Sequence, residues 1–471
     1  MRASLASSIA VTCAAVLALP VSLTVPAAAS APPAAASALP PAPELPGSTQ
    51  SLPLEPLGAA TRSLGGTATG SGEQGLTRRD VRPFSLVGVV WDDPAAPLHG
   101  TVQVRTRATG GAWSPWQDVE THNEEHGADP DTAEGSARVL RGSTAPLWVG
   151  DSDGVEIRVR GEEPLPAGLR LELVDPGEAP GQDAPAGPEA PAPHTRSART
   201  PAAPAGPSAA EAAASAVNAQ LAPYGAAWIP ALSKEETELT ARAMPQQAAA
   251  APAAAQAAQA APAALAAKPY IGPRPKIITR KGWSADESIR EKGFVYTKTI
   301  KAAFVHHSAT GNNYTCKQAP SVLRSIYRYH VKSSGWRDFG YNFAVDKCGN
   351  IYEGRAGGVA KPVMGAHTLG FNTNSMGIAV LGTFSKSNPP AAVVTAVARL
   401  TAWKLGLHGV NPKGTSYLIS GGGNLYKKGK QVRFNAIAGH RDGFATECPG
   451  GRLYGKLGTA RATSAKYQGR P

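Results

Sequence analysis

The chain has 471 residues, enough for two or three domains, but 42 prolines and a large alanine excess exclude one continuous core. The net charge of +12 hides a division: residues 269–471 hold 30 Lys and Arg against 8 Asp and Glu, a net +22, which leaves −10 for everything before them. After the N-terminal leader no apolar run is long enough to cross a bilayer, which argues against a transmembrane segment.

The leader, residues 1–31, carries Arg2, an apolar run from Ile9 to Val25 broken by Pro20, and small residues around Ala29 to Ala31. This pattern predicts a secretory signal peptide rather than a membrane span. Thr12 before Cys13 argues against lipidation there. Export leaves Cys316, Cys348 and Cys448, and an odd count in an oxidising compartment implies one pair and one thiol with another task. Residues 32–75 are rich in Ala, Pro and Gly and are expected to be disordered.

Residues 76–176 alternate apolar and polar positions in short runs, "FSLVGVVW", "GTVQVRTRA", "GVEIRVRG" and "LRLELVD". Period two between Gly, Pro and Asp predicts antiparallel strands in a small β-sandwich-like domain, whose role is not read from its sequence. Trp113 and Trp116 admit two readings there, a platform for sugar rings or partly buried edge aromatics. Residues 177–268 return to Ala and Pro and read as a linker, with a transient helix at Ala213–Leu221. On this reading the acidic first half is a tethered module for placement, and all the chemistry lies in 269–471.

In that last segment "KAAFVHH" predicts a strand ending at His306 and His307, and "VLRSIYRYHV" a helix with Val322, Ile326 and His330 on one row. "GYNFAVDKCGNIYEGR" predicts a hairpin turning at Asp346–Asn350, and "SMGIAVLGTF" a buried strand. Asn388 and Pro389 open a helix to about Leu407 with Val393, Val397 and Leu400 inward, and "FNAIAGH" is a last strand that delivers His440. Mixed strands and helices make this domain α/β. Its positive charge suits anionic wall polymers or acidic lipids. An exported chain does not meet nucleic acid.

Two histidines at strand ends and a leftover cysteine suggest a metal. A catalytic zinc takes three protein ligands and keeps a fourth position open, and His306, His440 and Cys448 supply such a set. A zinc-held thiolate also explains a cysteine outside a disulfide. Copper uses two His and one Cys as well, but no Met follows Cys448 closely enough to be an axial ligand. His306 and His440 lie 134 residues apart, so spacing alone does not bring them together.

The ordered motifs "FVHHSAT", "YHVKSSGWRDFGYNF", "IYEGR", "GAHTLGFNTNSMGIAVLG" and "AGHRDGFATECPG" resemble those of the type 2 N-acetylmuramoyl-L-alanine amidases and peptidoglycan recognition proteins. The resemblance spans about 275–460 and nothing upstream of 269. It implies a central mixed β-sheet flanked by helices under a zinc cleft. It also implies hydrolysis of the lactyl amide between N-acetylmuramic acid and L-alanine in peptidoglycan by a secreted, wall-associated enzyme. His306, His440 and Cys448 fall on the family's zinc ligands and Tyr341 on its active-site tyrosine. Thr446 falls on a position that is Lys in some phage members and Thr in many animal ones. His330, His367 and Asn372 match positions that line the peptide cleft. With Cys448 so assigned, Cys316 and Cys348 are the remaining partners and are expected to form a bond. Some members of the family bind peptidoglycan without cutting it and typically lack the cysteine ligand, which this chain keeps.

Overall fold

Alternating burial builds the first domain: Val102, Val104 and Thr106 point inward along Gly100–Ala108, as do Val155, Ile157 and Val159 on the strand beside it. A computed structural model of the chain describes residues 47–57, 72–123, 126–132, 135, 140–161, 164–178, 207–243 and 270–471, all within one unit, Leu45–Pro471. The predicted leader at 1–31, most of 32–75 and the greater part of 177–268 lie outside the described residues. The first domain is all-β and antiparallel, in the order Ser48–Pro53, Arg170–Asp175, Glu73–Trp91, Leu147–Gly161, Gly100–Ala108, Gln117–Val119. Register shifts near Leu76, Asp80 and Phe84 interrupt the pairing of the 19-residue strand Glu73–Trp91 with Leu147–Gly161, and Leu86–Val90 near its end pair with Arg170–Asp175.

The second domain is α/β, with a mixed sheet in the order Ile437–Gly439, Ala302–His307, Ser375–Val380, Phe343–Val345, Ile351–Glu353, Ile277–Ile278, Trp228–Ile229. Its centre is parallel, and the hairpin Phe343–Val345/Ile351–Glu353 is antiparallel around the expected turn. The helix Ala391–Leu407 starts behind Pro390 and buries Val393, Val397 and Leu400 against the sheet. The helix Ala319–Arg328 runs into a π-helical turn, Tyr329–Ser333, which holds His330 in the interior. Cys316 and Cys348 are bonded, tying the loop after Ala302–His307 to the hairpin turn. Closing that 32-residue separation is worth roughly 3–4 kcal/mol on the chain-entropy account.

Three expectations about organisation are corrected. Ser48–Pro53, in the segment expected to be disordered, is a sheet strand paired residue for residue with Arg170–Asp175. Its six residues are too few to show a period inside an Ala- and Pro-rich stretch. Within the expected linker, 207–243 belongs to the α/β domain. The helix Ala209–Ala216 has a Ser208/Glu211 capping box, Trp228–Ile229 is the edge strand, and the helix Lys234–Ala243 follows. Leu221, Ala222 and Ile229 share a core with Ile277 and Val305. Alanine composition suggested a spacer, but a few apolar anchors decide the packing.

The third correction concerns tethering. Leu86, Val90, Trp148 and Val174 of the β domain share one buried cluster with Val322, Ile326, Tyr327 and Tyr329 of the α/β domain. The Tyr329 hydroxyl is shared between the Val89 and Thr144 carbonyls at 3.2 and 3.1 Å. Gly88 is required at this seam, because a Cβ there would lie 2.4 Å from the Tyr329 oxygen. Apolar burial of this kind makes the two domains a packed pair.

Asn218 fastens the 207–243 segment, donating to the buried Glu353 carboxylate at 2.8 Å and accepting from the Val359 amide at 3.0 Å. Asn218→Ala strips partners from both, so urea unfolding should show a loss of about 1–3 kcal/mol. A change within about 0.5 kcal/mol of the parent, the range of ordinary surface substitutions, would contradict this placement of the segment.

Candidate metal centre

Parallel pairing solves the problem of distance along the chain. Val305 faces Gly439 in the ladder, so His306 at the end of one strand and His440, just past the end of the other, emerge side by side with ring centroids 4.4 Å apart. A short turn, His440–Asp442, follows, and its Asp442 carboxylate accepts from the Gly439 amide at 2.9 Å. The chain then folds back, with the Arg441 amide donating to the Cys448 carbonyl at 3.0 Å. That return sets the Cys448 sulfur 3.8 Å from His306 Nδ1.

A fourth group stands at the same place. His126, from a loop of the β domain, has its ring centroid 4.5 Å from that of His440 and its Nε2 3.9 Å from the Cys448 sulfur. One ligand atom from each of His126, His306, His440 and Cys448 can be chosen so that all lie within 4.8 Å of one another. Ligand atoms around a tetrahedral zinc stand about 3.3–3.6 Å apart given bonds of 2.0–2.3 Å, so shifts of up to about 1 Å would close these three imidazoles and the thiol on such an ion. Burial favours the neutral rings that ligation needs. It drives His306 well below the ordinary imidazole range, with His440 the next cause, and pushes His126 down to about 3, helped by His307.

His306 is oriented from behind. Its Nε2 lies 3.4 Å from the Thr368 hydroxyl, which in turn lies 3.0 Å from His367 Nδ1, so Nδ1 of His306 is the nitrogen presented to the centre. A cavity of about 400 Å³ opens beside the four residues, lined among others by His307, His330, Tyr341 and Thr446. The Tyr341 ring is 5.1 Å from that of His306, and the Thr446 hydroxyl accepts from the Cys448 amide at 3.1 Å.

The structure therefore brings together His306, His440, Cys448, Tyr341, Thr446 and His330. His330 stacks on Trp336 at 4.3 Å and accepts from the Gly340 amide at 3.2 Å through Nδ1. His367 and Asn372, matched by resemblance to an open cleft, are both fully buried and do not line this cavity. His367 lies behind His306. Asn372 accepts from the His367 and Thr368 amides and donates to Gly127 and Asp129 of the β domain, at 2.8 and 3.0 Å. Sequence reasoning missed His126. The only local signal is a His, Asn and Asp-rich run, "THNEEHGADPD", between strands. Trp113 and Trp116 are half-buried beneath guanidinium groups, with Arg78 5.1 Å from the first and Arg158 and Arg105 4.3 and 4.8 Å from the second. Those faces are covered by cation–π contacts rather than open to a sugar.

Comparison with known proteins divides the chain at the same seam. Residues 33–205 match the family described as Rv3811 N-terminal galactose-binding domain-like, and residues 296–451 match the N-acetylmuramoyl-L-alanine amidase family. Peptidoglycan-recognition protein SC2 of Drosophila melanogaster is 29% identical over 185 residues, 39% of this chain and 85% of that protein. Peptidoglycan-recognition protein SC1a of the same fly is 32% identical over 158 residues, 34% of this chain and 72% of its own. A human N-acetylmuramoyl-L-alanine amidase is 32% identical over 152 residues, 32% of this chain and 22% of that protein.

A neutral hydroxyl is a poor replacement for a thiolate in this donor set. Cys448→Ser should keep its far-UV circular dichroism yet bind zinc at least about 10-fold more weakly in chelator competition, since even loss of an outer-shell partner costs that much. Unchanged affinity would remove Cys448 from the centre.

Proposed function

Because the chain belongs to the family of N-acetylmuramoyl-L-alanine amidases and peptidoglycan-recognition proteins, we propose that it is a secreted, zinc-dependent amidase. Its substrate is the lactyl amide between N-acetylmuramic acid and the L-alanine of the stem peptide. The observation that carries this reading is the convergence of His306, His440 and Cys448, the last of which lines a cavity together with Tyr341 and Thr446. Zinc held there would polarise the scissile carbonyl and bring water toward neutral acidity.

The chain's own groups then have distinct tasks. Tyr341 donates its phenolic proton as a hydrogen bond to the oxygen on which charge develops, a role that needs no change in protonation. Thr446, held by the Cys448 amide, positions water or the substrate oxygen. His330, fixed by Trp336, contributes to the substrate side of the cavity. His367 acts from behind through Thr368, keeping His306 in the tautomer and orientation that ligation requires. Peptidoglycan is the principal partner, and the +22 charge of 269–471 adds attraction for anionic wall polymers that weakens as salt rises. Among the described residues no helix is long and apolar enough to cross a membrane. The names of the relatives, amidase and recognition protein alike, support a peptidoglycan substrate, and retention of Cys448 favours cleavage over binding alone.

Prolonged digestion of purified peptidoglycan by the full chain, followed by mass spectrometry, should release stem peptides with a free L-alanine amine and leave intact lactyl groups on the glycan. A chelator should stop the release and added zinc restore it. Tyr341→Phe should slow it roughly 100- to 1,000-fold at unchanged zinc content, the usual cost of one oxyanion donor. Binding to peptidoglycan with no released peptide would leave recognition without catalysis as the function.

A further inference from the structure

A catalytic zinc keeps one position open, whereas a closed shell of four protein ligands is the mark of a structural site. His306, His440 and Cys448 already make three, and His126 stands where a fourth belongs, with its ligand atom within 4.8 Å of all the others. It also packs edge-on against Tyr341, with ring centroids 5.9 Å apart, which sets it beside the proposed oxyanion donor.

The loop that carries His126 is anchored across the α/β domain. The Asp129 carboxylate, 6% exposed, accepts from the Gly370 amide at 2.6 Å and from Asn372 Nδ2 at 3.0 Å. The same Asn372 amide group donates to the Gly127 carbonyl at 2.8 Å, and Asp131 pairs with Lys428. A backbone carbonyl followed by a carboxylate, held by an asparagine and a backbone amide, is the chemistry of a short acidic peptide. On the near side His122 and Asn123 line the cavity itself. Among the described residues these anchoring contacts are polar, unlike the buried apolar cluster around Tyr329, so the loop can withdraw while the domains stay together.

We propose that His126 is a fourth ligand of the metal centre and that its loop is an intramolecular plug, which occupies the position and the groove that a stem peptide needs and holds the folded chain in a latent state. The proposal rests on the amidase reading for its consequence, but not for the ligation itself. Withdrawal of the loop would free the ligand position that His126 takes and expose Asn372 and the Gly370 amide to the substrate. The β domain is then a regulatory part of the enzyme as well as a packed neighbour.

Cobalt-loaded full-length protein tests ligation without reference to activity. In the parent, azide should leave the visible d–d absorption unchanged, because no exchangeable position is present. In His126→Ala the same azide should shift the spectrum, and zinc affinity in chelator competition should fall at least about tenfold. Hydrolysis of a soluble muropeptide should rise at least about tenfold over the parent. Asp129→Asn keeps the donor set and loosens the anchor, so it should give intermediate azide sensitivity and intermediate activation, and it carries the test if His126→Ala fails to fold. A parent spectrum as sensitive to azide as that of His126→Ala would overturn the proposal. So would a His126→Ala enzyme that loses activity while its spectrum and zinc affinity stay unchanged. Spectra that behave as expected in proteins that never cleave muropeptide would sustain the ligation and sink the amidase reading.

Discussion

The register of two parallel strands is the constraint on which the rest depends. Ala302–His307 and Ile437–Gly439 pair so that Val305 lies opposite Gly439, and this alone sets His306 beside His440 across 134 residues of sequence. Side chains alternate between faces along a strand, so a slip of one residue would turn the histidine to the other side of the sheet. The register is held by burial: Ala303, Val305, Ile378 and Ile437 share one fully buried core with the helix Ala391–Leu407. Groups carried at the C-terminal ends of parallel strands face a common crevice, the usual place for chemistry in α/β sheets.

Two kinds of contact join the domains, and they differ in strength. Around Tyr329 the seam joins a fully buried apolar cluster to buried hydrogen bonds, so opening it would expose Leu86, Val90 and Trp148 to water. At the metal centre the β domain instead offers His126 and the Asp129 anchor, each of which exchanges polar partners for water at modest cost. A permanent seam with a replaceable contact at its edge is an arrangement in which access to the centre can change without separating the domains. At the same edge Asp131 of the β domain pairs with Lys428 of the α/β domain.

What the sequence made legible follows from which signals are local. The strand before His306, the hairpin around Asp346 and the helix behind Pro389 and Pro390 each carry their own period or cap, and each appears where the pattern puts it. His306, His440 and Cys448 were marked by residue type and by resemblance, although their meeting is a product of topology. The structure of 207–243 was hidden because alanine-rich composition outweighs a single capping box and anchors as sparse as Leu221 and Ile229. The inward turn of His367 and Asn372 was hidden for another reason. His367 packs behind His306 within the α/β domain, and the match of Asn372 to a cleft position shows nothing of a second domain laid across the cleft. His126 belongs to the same class, since a histidine on a polar loop acquires its importance only from the partner surface it reaches.

X-ray absorption at the zinc edge of the full-length, zinc-loaded protein tests the centre most directly. The account predicts one sulfur scatterer at about 2.3 Å and a nitrogen shell at about 2.0–2.1 Å, with the multiple-scattering signature of three imidazoles. A spectrum without sulfur, or one whose shell is filled by carboxylate or water oxygens with no imidazole signature, would contradict it.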